Sequence, residues 1–385
     1  MDYFPRPALA HGLALEITGQ DAFSDASNGL FLTAPRRTGK TEFLRHDLAP
    51  ALEATGALVL YVDLFEDRSR PPMQMIAAQL AKAALDHLGV VASTVKKAGI
   101  DKIGLPGMFG LDLTKLGQSD GASLFQALNG LHKAAKKPIA LIIDEAQHAL
   151  TSEDGESTMW ALKSARDQMK LKNKANLMLV MSGSHVDKLN LLLNAPNAPF
   201  WGSETRQLPY LGDDYVEALA RALRFDKPEL SGVRTSQLVA AFKHFGYRPQ
   251  LFMNALRRAK TESHDGASLE QAILRQGQAQ NEADRARFTA GFLALTPTEQ
   301  AVMSRLITSN KNFRAFDADA LKYYAQFLGK DKVTVPAVQR ALDSLRNRDD
   351  EWVWKSLRGD YSVYDQAIFE WQAHLEARRA WPPRG

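Results

Sequence analysis

The chain has 385 residues, 45% of them apolar and 24% charged, which suits two or three globular domains and excludes a mainly disordered or fibrous protein. It contains no cysteine, which removes disulfides, thiolate zinc sites, iron–sulfur clusters and cysteine nucleophiles. The net charge of +4, from 48 Lys and Arg against 44 Asp and Glu, is too small to indicate nucleic-acid binding by itself.

Taken in chain order, residues 1–210 read as alternating strands and helices. The start, M-D-Y-F-P-R-P, lacks a basic stretch followed by an apolar core, so no signal peptide is expected. Gly29 to Pro35 is a short apolar run ending in a loop, and Thr41 to Leu52 follows with helical spacing. Gly56 to Asp63 is a second buried-strand candidate, and Pro72 to Leu88 a helix. Lys102 to Leu116, with four glycines or prolines, breaks the pattern and reads as a hairpin or loop insertion. Ile139 to Asp144 and Leu177 to Ser182 are two more apolar runs of strand length. Continuous apolar runs separated by helices indicate a parallel sheet covered on both faces, which is α/β architecture. The longest charge-free stretch, Leu189 to Ser203, is about 15 residues with two prolines, against the ~20 a spanning helix needs. A cytoplasmic protein with no membrane contact is expected.

From Asp213 to about Arg287 the pattern is purely helical, with Asp213 and Ser268 as N-cap candidates. Beyond it, Thr296-Pro-Thr-Glu299 is a capping box with proline at the first helical position. Asp317 to Leu328 is a second helix stopped by Gly329, and Thr334 caps a third with Val338, Ala341, Leu342 and Leu345 on one face. Two short strands, Trp352 to Leu357 and Tyr361 to Tyr364, are joined at Arg358-Gly-Asp360. Three helices and a hairpin in that order suggest a winged helix. The expected domains are an α/β core at 1–211, a helical domain at 212–288 and a winged helix at 289–385.

The segment F-L-T-A-P-R-R-T-G-K-T, Phe31 to Thr41, carries Gly39, Lys40 and Thr41 of the pattern G-x-x-x-x-G-K-[ST], with Ala34 in place of the first glycine. It follows an apolar strand and precedes a helix, where backbone N–H groups and a helix N-terminus can face a phosphate. A small residue suffices at the first position when its φ is negative; the competing reading is a tight strand–helix turn. The second motif, I-A-L-I-I-D-E, puts Asp144 at the carboxyl end of a buried strand, the edge where ligands gather in open α/β sheets. Asp144 can hold Mg²⁺ opposite the hydroxyl of Thr41, and Glu145 can orient and deprotonate a water. The alternative for Glu145 is an acidic helix N-cap. Both motifs together indicate a P-loop NTPase with a catalytic glutamate.

A-P-R-R-T-G-K-T-E-F-L resembles the G-P-R-R-x-G-K-[ST] loop of the archaeal-type ATPases, within the STAND group of AAA+-related NTPases. The resemblance extends to L-I-I-D-E-A-Q, to the M-S-G-S stretch after the next strand and to the winged-helix tail. It implies ATP as nucleotide, a loop Ala34, Pro35, Arg36, Arg37, Thr38, Gly39, Lys40 and Thr41 around the phosphates, a sensor strand between the two Walker strands, and a helical lid. It implies a first sensor at Ser182 or Ser184, although hydroxyls capping the next helix are an alternative for Ser184. Where the family often has arginine in L-[YF]-G-R, Ser203 stands in P-F-W-G-S-E-T-R, and Arg206 could substitute as a finger. In the lid, H-F-G-Y-R-P resembles the family's second-sensor region, where Arg248 could touch the phosphates or be a surface residue. One of Arg36 and Arg37 often faces solvent or a neighbouring subunit in such loops. His132, His148, His185 and His244 show no metal-ligand spacing.

A DNA-binding winged helix would offer Gln339, Arg340, Ser344, Arg346 and Arg348 to a groove. From Asn281 onward, however, 16 Lys and Arg face 14 Asp and Glu, with Asp343 on the same surface and Asp349, Asp350 and Glu351 following. Affinity for nucleic acid comes mainly from phosphate neutralisation, so protein–protein or autoinhibitory packing stands beside DNA binding. Trp352, Trp354, Tyr361 and Tyr364 read as cross-strand packing. The closing D-Q-A-I-F-E-W, Asp365 to Trp371, resembles the family's last helix. The expected protein is an ATP-hydrolysing molecular switch. A DNA-binding or loading factor and a non-hydrolysing nucleotide-bound scaffold are the alternatives, with a protein partner or a homo-oligomer compatible with each.

Overall fold

The computed structural model describes residues 3–21, 23–87, 102–103, 111–112, 116–117, 121–171, 174–194, 197–348, 352–355, 360–363 and 367–384. Leu88, Asp349, Asp350, Glu351, Leu357, Arg358, Tyr364 and Asp365, named in the expectations above, lie outside the described residues. The chain divides into two units, Met1–Pro209 and Tyr210–Gly385.

The first unit is built on five parallel strands: β1 (Leu30–Thr33), β2 (Leu58–Asp63), β5 (Ile139–Asp144), β8 (Leu177–Gly183) and β9 (Thr205–Gln207), in the order β2-β5-β8-β1-β9. Strand β8 thus lies between β1 and β5, the strand order expected above. The interior strands β1, β5 and β8 are buried at every position, as continuous apolar runs covered on both faces should be. The edge strand β2 alternates instead, burying Leu58, Leu60 and Val62. Register aligns the carboxyl ends: Asp63 lies opposite Asp144, and Thr33 opposite Gly183. Every loop that follows a strand therefore opens at one rim.

Helix α1 (Pro7–Ile17) starts on its proline and buries Ala10, Leu13, Ala14 and Ile17, one face at helical spacing. The helix after the β1 loop runs as α2 (Lys40–Phe43), a π turn (Leu44–Leu48) and α3 (Ala49–Ala54). Pro50 has no N–H to return and its ring crowds the carbonyl four residues back, and the wider π turn gives it room. Then come α4 (Pro72–His87), a hairpin of β3 (Lys102–Ile103) and β4 (Leu111–Asp112), α5 (Leu124–Ala135), α6 (Glu153–Met169), a second hairpin of β6 (Lys170–Leu171) and β7 (Lys174–Ala175), and α7 (Val186–Asn190). The insertion expected at Lys102 to Leu116 thus contains a hairpin.

The second unit is helical until its last segment: α8 (Asp213–Asp226), α9 (Thr235–His244), α10 (Pro249–Glu262), α11 (Gly266–Leu293), α12 (Pro297–Ser309), α13 (Ala318–Leu328), α14 (Val335–Asn347), the antiparallel pair β10 (Val353–Lys355) and β11 (Tyr361–Val363), and α15 (Ala367–Ala377). Two expected caps are corrected. Gly212, not Asp213, is the N-cap of α8. Asp265 caps α11, with Ser268 as the third helical residue completing a reciprocal capping box. The Thr296–Glu299 box forms as expected, Asp317 caps α13 through Ala320 N at 2.7 Å, and Gly329 ends it at φ 61°. Thr334 precedes α14, but its side chain makes no capping bond. Val338, Ala341, Leu342 and Leu345 join Phe288, Phe292, Val302, Leu306, Trp352 and Trp371 in one core. Helix α11 supplies Phe288 and Phe292 to that core, so it runs unbroken through the boundary expected at 288/289.

Candidate functional site

The loop after β1 turns sharply at Arg37 (φ 65°) and Gly39 (φ 92°), both left-handed. A Cβ on Gly39 would meet nothing within 4 Å, so the backbone angle and not space asks for glycine there. Ala34 keeps an ordinary φ; it is buried, and its N–H donates to Gly183 O at 3.2 Å. A small side chain therefore serves where the pattern G-x-x-x-x-G-K-[ST] has glycine. Thr38 Oγ1 closes the turn on Pro35 O at 2.7 Å. Pro35 is half-buried, whereas Arg36 and Arg37 are exposed, and the Arg36 guanidinium lies 5.5 Å over the Phe65 ring. The first turn of α2, which has no intrahelical partners for its N–H groups, opens at the end of this loop.

Lys40 is 5% exposed, and its ammonium lies among Asp144, Glu145 Oε1 at 3.1 Å and Ser182 Oγ at 3.2 Å. Asp144 is fully buried. Its Oδ1 accepts from Lys40, Ser182 Oγ and the Glu145 N–H; its Oδ2 accepts from Thr41 Oγ1 at 2.6 Å and Tyr61 OH at 3.0 Å. Burial by itself would push the Asp144 carboxyl up, but the Lys40 charge and these hydrogen bonds outweigh it and hold the pKa down at about 2. Burial would likewise lower Lys40, yet the two carboxylates raise it above its ordinary value. Burial would raise Glu145, and Lys40 again prevails and lowers it. All three groups are held charged.

Glu145 adopts the left-handed φ of 54°, a costly backbone for a non-glycine residue. It stands where an N-cap would, before the 3-10 turn Ala146–Thr151, but its carboxylate makes no capping bond. Instead Oε2 accepts from Ser184 Oγ at 2.9 Å and from Gln147 Nε2. Ser184 therefore contacts the glutamate and does not cap the following helix, whose N-cap is His185. Ser182 faces Lys40 and Asp144. His148, whose ring packs at a tilt against Phe65 with centroids 4.9 Å apart, is pushed down to about 4 by burial, against the pull of Glu145.

The two arginines are tied up within their own units. Arg206 lies on β9, and its guanidinium pairs with Glu16 of α1 and donates to Ser24 Oγ at 3.2 Å. Arg248 pairs with Asp284 Oδ2 at 2.6 Å and donates to Phe245 O at 2.8 Å, so it is no loose surface residue. On α14, Arg340, Ser344 and Arg346 are exposed, while Gln339 donates to Asp343 Oδ1 at 3.0 Å and Trp352 and Trp354 are buried.

Thr41 and Asp144 are hard oxygen donors a hydrogen bond apart, a set that fits Mg²⁺ completed by phosphate oxygens and water. Among the described residues no group of three or more His, Asp or Glu could hold a metal alone, and no helix is long and apolar enough to cross a membrane. The sequence reading did not single out Tyr61 or Gln147. Tyr61 shares β2 with Asp63 and occupies one of its half-buried positions, and Gln147 stands in the quoted D-E-A-Q, so both signals were local but ordinary.

No protein-family profile matches the chain, and no curated protein matches it. Among solved structures it is similar to the Aeropyrum pernix ORC2 protein in its ADPNP-ADP complexes, at 13% identity and TM-score 0.45, with 99% of this chain and 97% of that chain covered. It is similar to the Aeropyrum pernix ORC1 protein in complex with DNA, at 15% identity and TM-score 0.42, covering 98% and 94%. AMPPCP-bound DnaA from Aquifex aeolicus matches at 14% identity and TM-score 0.38, covering 89% and 90%. The functional reading rests on the site itself.

Proposed function

We propose that this protein is an ATP-binding and ATP-hydrolysing switch of the STAND group, with nucleotide state controlling the lid and winged-helix segments. One observation carries the reading: Lys40, Thr41, Asp144, Glu145, Ser182 and Ser184 converge at the carboxyl rim of a parallel sheet, beside a left-handed loop and a helix N-terminus. The buried Lys40 charge now rests on two carboxylates, and nucleotide phosphates would supply its alternative counter-charge. Loop residues 34–41 would surround those phosphates. Thr41 and Asp144 would hold Mg²⁺, which supplies neutralisation of the leaving phosphate oxygens. Glu145 is read as the base for the attacking water, Ser182 and Ser184 as sensors. Arg248 is read as a second sensor that would have to leave Asp284, and Arg206 as a finger that would have to leave Glu16.

The test is nucleotide binding and turnover in two variants. Lys40→Ala is expected to abolish binding of a fluorescent ATP analogue. Glu145→Gln is expected to bind it normally but to hydrolyse ATP at least about a hundredfold more slowly. Wild-type behaviour in both would place the chemistry elsewhere. Exposed Arg340 and Arg346 on α14 favour a second reading, ATP-dependent binding of DNA; a steep fall of DNA affinity with salt is its signature.

A further inference from the structure

Three of the four donors that hold the Glu145 carboxylate grip the same oxygen. Oε1 faces Lys40, while Oε2 takes the Ser184 hydroxyl, the Ser184 N–H at 3.4 Å and the side-chain amide of Gln147. Gln147 is 2% exposed and sits two residues beyond Glu145, in the 3-10 turn that the left-handed Glu145 starts. Only one orientation of its amide is tenable: turned over, its carbonyl oxygen would face the carboxylate, acceptor against acceptor. The carbonyl oxygen is thereby buried, with no hydrogen bond among the described residues. It lies 2.6 Å from where a Cβ on residue 183 would stand, so Gly183 is what makes room for it. An apolar side chain of the same shape would pack there without an unpaired buried oxygen, so packing alone does not account for a glutamine.

We propose that Gln147 is a positioning residue for ATP cleavage: with Ser184 it pins Oε2 of Glu145, so that Oε1 is the oxygen presented to water once Lys40 engages phosphate. This rests on the reading of Glu145 as the base. In that step the water oxygen bonds to the γ-phosphorus, its proton passes to Oε1, and the bond to ADP breaks with its electron pair leaving on ADP. Gln147 touches none of the reacting atoms. It removes the freedom of the carboxylate to turn, and misplacement of a catalytic group by about 1 Å can cost about a hundredfold.

The experiment is single-turnover ATP cleavage in the full chain, with nucleotide affinity measured alongside, for Gln147→Met, Glu145→Gln and the double variant. The expected result is a fall of about 10- to 100-fold in the cleavage rate of Gln147→Met, unchanged affinity, and a double variant no slower than Glu145→Gln alone. Gly183→Ala, which displaces the amide without removing it, is expected to show the same split and serves if Gln147→Met does not fold. A wild-type cleavage rate in these variants while Glu145→Gln is inactive would overturn the positioning role and leave the base assignment standing. Losses that add to those of Glu145→Gln, or that appear as weaker binding, would likewise overturn it. A wild-type rate in Glu145→Gln would remove the base itself.

Discussion

Lys40 carries a charge that water barely reaches, and it is kept there by Asp144 and Glu145. Removing one partner of a buried ion pair typically costs about 3–5 kcal/mol, because the other charge stays buried. Lys40→Ala should therefore lower the urea midpoint of the nucleotide-free protein; an unchanged midpoint would mean that water relieves the carboxylates. His148 acts in the opposite sense. Its folded pKa of about 4 lies below the ordinary 6.5, so the unfolded chain binds more protons between those values. The associated stability is complete above pH 6.5 and is lost as pH falls toward 4, by up to about 3 kcal/mol. His148→Gln should flatten the melting temperature across that window, and a slope identical to wild type would assign the acid sensitivity to other groups.

The ion pair between Arg206 and Glu16 fastens the edge strand β9 to α1, two elements 190 residues apart. A double-mutant cycle between Arg206→Ala and Glu16→Ala should return a coupling of about 1 kcal/mol or more in stability. The same variant decides the finger. Turnover per subunit that rises with wild-type concentration, and no longer rises in Arg206→Ala, would support a role in trans; concentration-independent turnover with Arg206→Ala unimpaired would eliminate it. This element also shows where sequence reading stops. Strands β5 and β8 were legible because a run buried on both faces is apolar throughout, and the Thr296 box because its partners are three residues apart. Lys40, Asp144 and Glu145 were legible as motifs because Asp144 and Glu145 stand at a strand end and Lys40 opens the helix after a short strand–helix loop. A pair such as Arg206 and Glu16 has no local pattern at all. In Asp265-Gly-Ala-Ser268 two residues can cap, and only the folded turn selects the first.

Across the second unit, α11 takes part in two packings. Near its middle Gly277 fits against His244 and Phe245 of the α9 end, and near its close Gly291 fits against Trp352, whose Cζ2 lies 2.6 Å from where a Cβ would stand. Trp371 adds a hydrogen bond from its indole N–H to Thr289 Oγ1 at 2.9 Å. Gly291→Ala gains about 1 kcal/mol of helix propensity but overpacks the indole at about 1–3 kcal/mol. A net fall in melting temperature is expected, and a rise would show that Trp352 yields freely. The helix has 28 residues without interruption, so at a rise of about 1.5 Å per residue it is about 42 Å long. A rod of that length amplifies. A tilt of about 10° imposed at Gly266 would sweep Leu293, and the aromatic core seated on it, sideways by about 7 Å.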